Sequence, residues 1–279
     1  MSYLECKFRL NPFEPYNEII VAQLSELGFE SFAETNDEVL AYIQLAEFNE
    51  SIKNACSEMA FQGVEIAFEM KEIPKENWNQ KWENSFEPVL IDDFCIIRAP
   101  FHQAKSDFKH EIIIEPKMSF GTGHHATTQL MVKLMSSIKI EGSKVIDMGS
   151  GTGVLAILAA KMKASQVDAI DIEEWAFENI QENIERNDTL MVKPYLGGAE
   201  VLNQMNKTYD VFLANINKNI LLRDIPLYDL KINKGGSLLL SGFFVFDAEE
   251  LVLFMEKMNY KLLSSDALQD WSCLHFKKC

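Results

Sequence analysis

A short apolar strand that runs into three glycines and then into a helix constrains the fold more than any other part of the sequence. The segment reads V-I-D-M-G-S-G-T-G-V-L-A and spans residues 145–156. In parallel α/β sheets, ligands bind beyond the carboxyl ends of the strands, where glycines allow a tight turn and a close approach to the backbone. The segment therefore predicts a strand-to-helix corner with a ligand seated against Gly149 to Gly153.

Helices and short apolar strands alternate from Thr127 to the C-terminus. This alternation is typical of a parallel sheet that is covered by helices on both faces. Helices are predicted at 127–138, 154–162, 175–186, 220–228 and 248–258. Strands are predicted at 89–99, 111–115, 144–148, 167–172, 210–214, 237–241, 260–263 and 273–276. The pattern indicates the α/β class with a Rossmann-like sheet.

The N-terminal part of the sequence has a pattern of its own. Strands are predicted at 3–10, 29–35, 39–45 and 64–73, and helices at 17–27 and 49–61. The order β-α-β-β-α-β is the split βαβ pattern of small α+β domains. We therefore expect a small domain at 1–74, a linker helix at 75–87 and the main domain at 88–279. Trp78 and Trp82 share one face of the predicted linker helix, and we expect them to pack between the domains.

The residues around the glycine turn favour one class of cofactor. Asp171 ends the next apolar strand, 22 residues after Gly149, where an acidic side chain can hold both hydroxyls of a ribose. The dinucleotide fingerprint is G-x-G-x-x-G/A, whereas this chain has G-x-G-x-G. Asp147, two residues before the first glycine, is a poor neighbour for a pyrophosphate but suits a cofactor with a positive amino group and a sulfonium. S-adenosylmethionine is therefore favoured over a dinucleotide, and both over a turn that binds nothing.

Two further loops carry polar residues. One reads F-G-T-G-H-H-A-T-T over residues 120–128, and its two threonines could simply be N-caps of the following helix. His124 and His125 have no Cys, Asp or Glu at ligand spacing nearby, so we reject a metal site. The other loop is A-N-I-N at 214–217, where Asn215 either caps the next helix or faces the ligand crevice.

The chain is strongly acidic, with 42 acidic and 26 basic residues and a formal net charge of −16. Such a surface argues against direct nucleic-acid binding, which needs a basic footprint. It either attracts a basic partner or only keeps the protein soluble. The five scattered cysteines fit reduced thiols, no apolar run approaches the roughly 20 residues of a membrane span, and no secretory signal is evident. We therefore expect a soluble cytoplasmic protein.

The loop at 120–128, the glycine turn at 147–153, the A-N-I segment at 214–216 and Ser241-Gly242 together resemble the ribosomal protein L11 methyltransferases, the PrmA family. The resemblance covers nearly the whole chain. It implies a class I methyltransferase domain, with a mostly parallel seven-stranded sheet, preceded by a ferredoxin-like domain that recognises the substrate. It also implies that S-adenosylmethionine supplies methyl groups to lysine and N-terminal amines of protein L11.

The resemblance places the cofactor contacts on Thr128, Gly149, Asp171 and Asn215, and the glycine turn adds Asp147 and Gly151. Departures from the family signature occur at His124, which replaces a threonine, and at Ala126, which replaces a proline. Asn217 replaces a leucine and is expected to put a polar group near the crevice.

No dedicated catalytic base is evident, so the candidates for catalytic roles concern positioning. We hypothesise that Asn215 orients the substrate amine and that Phe120 packs over the methyl site, although Phe120 could equally serve loop packing. Alternatives remain open: a methyltransferase for another protein, for RNA or for a small molecule, or a cofactor-binding module without catalysis.

Overall fold

The computed structural model describes residues 2–73, 83, 85–117 and 120–279. The chain divides into two compact units, Met1–Ser85 and Phe86–Cys279. Most of the predicted linker helix at 75–87, including Trp78 and Trp82, lies outside the described residues. The linker helix and the domain boundaries at 74 and 88 therefore stay predictions.

The N-terminal unit has the predicted order of two helices and four strands. Its elements are β1 (Tyr3–Asn11), α1 (Tyr16–Glu26), β2 (Ser31–Glu34), β3 (Glu38–Gln44), α2 (Glu50–Ser57) and β4 (Glu65–Ile73). The strands form an antiparallel sheet in the order β2-β3-β1-β4. Alternate residues of β1 are buried, because successive side chains of a strand point to opposite faces. The buried set includes Cys6 and Phe8, which pack with Ile20 and Leu24 of α1.

The larger unit begins with a small three-stranded sheet that corrects one prediction. The sequence at 89–99 was predicted as one strand, but it forms β5 (Val89–Ile91) and β6 (Cys95–Arg98), which pair antiparallel. Between them Asp92 adopts a φ of 47°, a left-handed conformation that ends a strand. The strand β7 (His110–Ile113) then pairs with β6 in parallel.

The main sheet of this unit is mostly parallel. Its elements, in chain order, are α3 (Ala126–Ser136), β8 (Lys144–Met148), α4 (Val154–Lys161), β9 (Gln166–Asp171), α5 (Glu174–Arg186), β10 (Val192–Leu196), α6 (Val201–Gln204), β11 (Tyr209–Asn215), α7 (Lys218–Asp229), β12 (Ile232–Phe244), α8 (Ala248–Lys257), β13 (Tyr260–Leu268) and β14 (Trp271–Lys278). The strand order is β10-β9-β8-β11-β12-β14-β13. Strand β14 pairs antiparallel with both of its neighbours, β12 and β13, whereas β10, β9, β8, β11 and β12 are parallel, so the carboxyl ends of these five strands meet at one edge.

Two apolar clusters cover the two faces of the main sheet, as the alternation of elements predicted. In β11, Leu213 belongs to one cluster and Phe212 to the other, because neighbouring side chains of a strand point in opposite directions. Helix α4 is buried almost completely along its length. Among the described residues, no helix has the length and apolar character to cross a bilayer.

Candidate functional site

The glycine turn forms the predicted corner between β8 and α4. Gly149, Gly151 and Gly153 have φ values of 69°, 54° and 80°, in the left-handed region that glycine adopts most easily. The N–H groups of Gly149 and Ser150 both donate to the carbonyl oxygen of Ile170, at 2.8 and 3.0 Å. The turn is thereby fixed to the end of β9.

The loop that contains Phe120 packs directly on this turn. A Cβ atom on Gly151 would lie 2.3 Å from the carbonyl oxygen of Phe120. That same oxygen accepts the N–H of Thr152 at 3.0 Å, and the Thr152 hydroxyl donates to the carbonyl of Gly121 at 2.7 Å. The structure therefore brings together two of the three segments that the sequence singled out.

The third segment, at 214–217, lies beside the glycine turn. Strand β11 pairs with β8 so that Ala214 faces Met148, which places Asn215 next to the turn. A Cβ atom on Gly149 would lie 2.3 Å from Cγ2 of Ile216. No larger residue fits at position 149 without displacing this segment.

Asp171 sits at the end of β9 and holds the corner through both oxygens. Its Oδ2 accepts the N–H of Gly151 at 2.7 Å, and its Oδ1 accepts the N–H of Glu173 at 3.0 Å. An ionised carboxylate has about four acceptor positions, so both oxygens can accept further hydroxyl groups. Asp171 can therefore fix the turn and hold a ribose at the same time.

A cavity of about 430 Å³ opens at the carboxyl ends of β8, β9 and β10. Gly149 and Asp171 line it together, and its far wall comes from Arg223, Asp224 and Tyr228 of α7. The sequence did not predict this wall. The helical spacing of apolar residues in α7 indicates only that one face of the helix packs against the core. Five of the predicted site residues are not among the described residues that line the cavity: Phe120, Thr128, Asp147, Gly151 and Asn215.

Several buried polar atoms at this corner lack a hydrogen-bond partner among the described residues. They are Oγ1 of Thr128, Oδ1 of Asp147, Oγ of Ser150 and Oδ1 of Asn215, together with the hydroxyl of Tyr228, a residue that lines the cavity. Most buried polar groups in proteins are hydrogen-bonded, because an unpaired one costs about 1–3 kcal/mol. Their concentration around one corner fits a polar ligand that supplies the missing partners.

Asp147 is 1% exposed and lies beneath the turn. Its Oδ2 accepts the N–H of Ala156 at 3.1 Å. Burial raises the pKa of this carboxyl to about 7, which the hydrogen bond from Ala156 opposes and the charge of Asp171 reinforces. A positive group placed near the free Oδ1 would favour the ionised form. The residue thus suits a cofactor that carries an amino group.

The helix caps at the site differ from the alternatives that the sequence left open. His125 is the N-cap of α3 and accepts the N–H of Thr127 through Nδ1 at 3.3 Å, so the two threonines lie inside the first turn. Asn217, not Asn215, caps α7 by accepting the N–H of Ile220 at 3.1 Å. The oxygen of Asn217 therefore serves the helix, and the expectation that this residue puts a polar group near the crevice stays a prediction.

Comparison with known proteins identifies the family. A family profile described as ribosomal protein L11 methyltransferase (PrmA) matches residues 17–279. A protein named ribosomal protein L11 methyltransferase from Porphyromonas gingivalis is 38% identical over 99% of this chain and 98% of its own length. One of the same name from Chlorobaculum parvum is 37% identical over 97% and 94%.

The fold agrees with a solved structure of a protein of this type. The crystal structure of ribosomal protein L11 methylase from Lactobacillus delbrueckii subsp. bulgaricus superposes with a TM-score of 0.64 and 24% identity, over 70% of this chain and 100% of that one. The profile match and the curated relatives show that this chain belongs to the ribosomal protein L11 methyltransferase family.

Proposed function

We propose that this chain transfers methyl groups from S-adenosylmethionine to lysine side chains and the N-terminal amine of ribosomal protein L11. The observation that carries the proposal is the set of unpartnered buried polar atoms around the Gly149 corner, in a chain whose curated relatives are named L11 methyltransferases. S-adenosylmethionine is the methyl donor of this family.

Different residues of the corner bind different parts of the cofactor. Asp171 receives the ribose hydroxyls, while the backbone at Gly149 and Gly151 allows the close approach that a Cβ would prevent. Thr128 and Asn215 offer buried oxygens that have no partner among the described residues. Asp147 balances the positive amino group of the cofactor with its buried carboxylate. When bound, the cofactor supplies a methyl group on a sulfonium, which is already a good leaving group.

The remaining task is to present a neutral amine in line with that methyl group. A free lysine has a pKa of about 10.4, so only about one in a few thousand is neutral at pH 7. An apolar surrounding disfavours the charged form and lowers this pKa, so the proton can leave to solvent without a dedicated base. Asn215 and its backbone carbonyl orient the amine, and Phe120 packs over the methyl site, where its ring attracts a partly methylated cation.

The N-terminal unit recognises the protein substrate. Its sheet order β2-β3-β1-β4 fits a ferredoxin-like domain, and a separate folded unit has no evident use in an enzyme that acts on a small molecule. The net charge of −16 favours encounter with a basic ribosomal protein and opposes contact with RNA phosphates. These features support a cytoplasmic enzyme that acts on L11 without binding nucleic acid directly.

The decisive experiment uses ribosomal components from a strain that lacks this methyltransferase. The purified chain is incubated with radiolabelled S-adenosylmethionine and these components, and the labelled species is identified by mass. Label on L11 is the expected result, and the Asp171→Ala variant should give none. Label on RNA or on another protein would replace the proposed substrate, and cofactor binding without any transfer would indicate a non-catalytic module.

A further inference from the structure

Five aromatic rings form a continuous strip across the surface of the larger unit. The ring of Phe120 lies 5.1 Å from that of His125, which lies 4.7 Å from Trp271. Trp271 stacks on Phe244 at 4.3 Å, and Phe244 stacks on Phe246 at 5.2 Å. We call these five residues the aromatic strip.

The sheet register holds the middle of the strip in place. Phe244 at the end of β12 faces Trp271 at the start of β14. The N–H of Val245 then donates to the carbonyl of Asp270 at 2.9 Å, which fixes the 3-10 turn Val245–Asp247 beside the β13–β14 hairpin. The middle of the strip, Phe244 and Trp271, is therefore held by two paired strands.

The outer end of the strip is open to solvent. Phe246 is 78% exposed, Val245 48% and Phe244 37%. A single exposed apolar residue is ordinary, but three consecutive ones that continue a stacked row of rings form a patch of the kind that marks an interaction surface.

The charges around this patch point to a basic partner. Residues 244–250 and 266–272 contain five carboxylates and no lysine, arginine or histidine. Lys218 pairs with Asp247 and Glu250, and Lys133 pairs with Asp266, so two lysines offset only part of the charge of these three carboxylates. Glu249 and Asp270 form no ion pair with any described residue. An acidic rim around exposed aromatic faces is complementary to lysine side chains.

The inner end of the strip reaches the cofactor corner, because the Phe120 carbonyl accepts the N–H of Thr152 in the glycine turn. We infer that the outer half of the strip, Phe244 and Phe246, docks a lysine-bearing segment of the protein substrate while its target amine lies at the inner end. This inference rests on the proposed function and adds a second contact surface to that of the N-terminal unit.

The test compares Phe246→Ser with Leu190→Ser, two substitutions of similarly exposed apolar residues. Leu190 is 76% exposed and precedes the amino end of β10, whereas the corner lies at the carboxyl ends of the parallel strands. Phe246→Ser should raise the KM for L11 by roughly fivefold to tenfold, with kcat, the cofactor Kd and the melting temperature unchanged. Leu190→Ser should behave as wild type.

Three more variants distinguish the contribution of the aromatic ring from that of its apolar volume and from that of the acidic rim. Phe246→Tyr keeps an aromatic face and should retain the wild-type KM, whereas Phe246→Leu should not. Asp270→Lys should raise the KM as well, by a factor that shrinks with added salt. If the wild type methylates L11 and Phe246→Ser has an unchanged KM, the docking inference is wrong and the proposed function stands. If the wild type neither binds nor methylates L11, both are wrong.

Discussion

The carboxylate of Asp171 accepts the backbone N–H of Gly151 at 2.7 Å, so the residue that we assign to the ribose also anchors the glycine turn. The two roles use different lone pairs of the same group. Substitutions at Asp171 therefore change both cofactor affinity and the conformation of the turn, and the variants must be chosen to separate these effects.

Asp171→Asn should raise the Kd for S-adenosylmethionine at least tenfold, which corresponds to about 1.4 kcal/mol. An asparagine keeps one acceptor oxygen but loses the charge that strengthens hydrogen bonds from the ribose hydroxyls. Titration calorimetry measures the change, with Glu174→Gln, an exposed neighbour at the start of α5, as the control. Asp171→Ala should weaken binding further and lower the melting temperature, since the N–H of Gly151 then loses its partner. An unchanged Kd in both variants would remove Asp171 from the site.

Gly151→Ala should abolish measurable cofactor binding. The added Cβ would lie 2.3 Å from the Phe120 carbonyl oxygen, and backbone atoms cannot move aside as a flexible side chain can. Gly142→Ala is the matched control, because Gly142 has a similar left-handed φ of 76° but no atom within 4 Å of the added methyl group. Both variants carry a strained backbone, and only Gly151→Ala displaces the Phe120 loop. Equal cofactor affinities in the two variants would contradict this account.

The sequence predicted the corner well because its signals are local. The strand at 144–148 was predicted with the bounds that the structure shows, and Gly149, Gly151 and Gly153 all adopt left-handed conformations. An apolar run, a set of glycines and a helical period are each encoded within a few residues.

The parts that the sequence missed depend on neighbours that are distant along the chain. Strand β10 escaped notice because it contains Pro194, which a strand tolerates only at an edge, and β10 is the edge strand of the main sheet. Tyr228 has the spacing of a core residue, and only the tertiary structure shows that it lines the cavity. The helix caps were ambiguous for a similar reason, since His125 and Asn217 compete with polar neighbours for the same role.

Tyr228→Phe should weaken cofactor binding without destabilising the protein. The Tyr228 ring stacks on Phe212 at 4.6 Å, which phenylalanine preserves, while its hydroxyl has no partner among the described residues. Removing an unpaired buried hydroxyl should leave the free energy of unfolding unchanged or raise it by about 1 kcal/mol. The Kd for S-adenosylmethionine should rise roughly fivefold if the hydroxyl bonds to the cofactor. A lower melting temperature with an unchanged Kd would assign Tyr228 to the core alone.

Phe120→Ala should slow the second and third methyl transfers to one amine more than the first. The ring is half exposed beside the corner, and an aromatic face attracts the cationic, partly methylated amine more than the neutral one. Mass spectrometry of L11 over a time course separates the three products. Wild-type rates for all three steps would leave the ring with a packing role only, as the sequence also allowed.

The stability of the cofactor-free protein should fall as the pH rises through about 7, because of Asp147. Burial raises the pKa of this carboxyl to about 7 in the folded protein, whereas an unfolded aspartate titrates near 3.9. The folded state therefore binds the proton more tightly, so its advantage is complete below pH 4 and is lost as the pH rises through 7. Between pH 6 and 8 the loss is on the order of 1 kcal/mol.

The variant Asp147→Asn isolates this contribution, because an amide cannot ionise. The difference in free energy of unfolding between wild type and variant, measured by urea denaturation at several pH values, removes the contributions of other titrating groups. Among these are His110, His125 and His275, whose pKa values burial lowers. The wild type should lose stability relative to Asp147→Asn as the pH rises from 6 to 8. A difference that is constant over this range would mean that Asp147 is ionised throughout and that its free oxygen is hydrated.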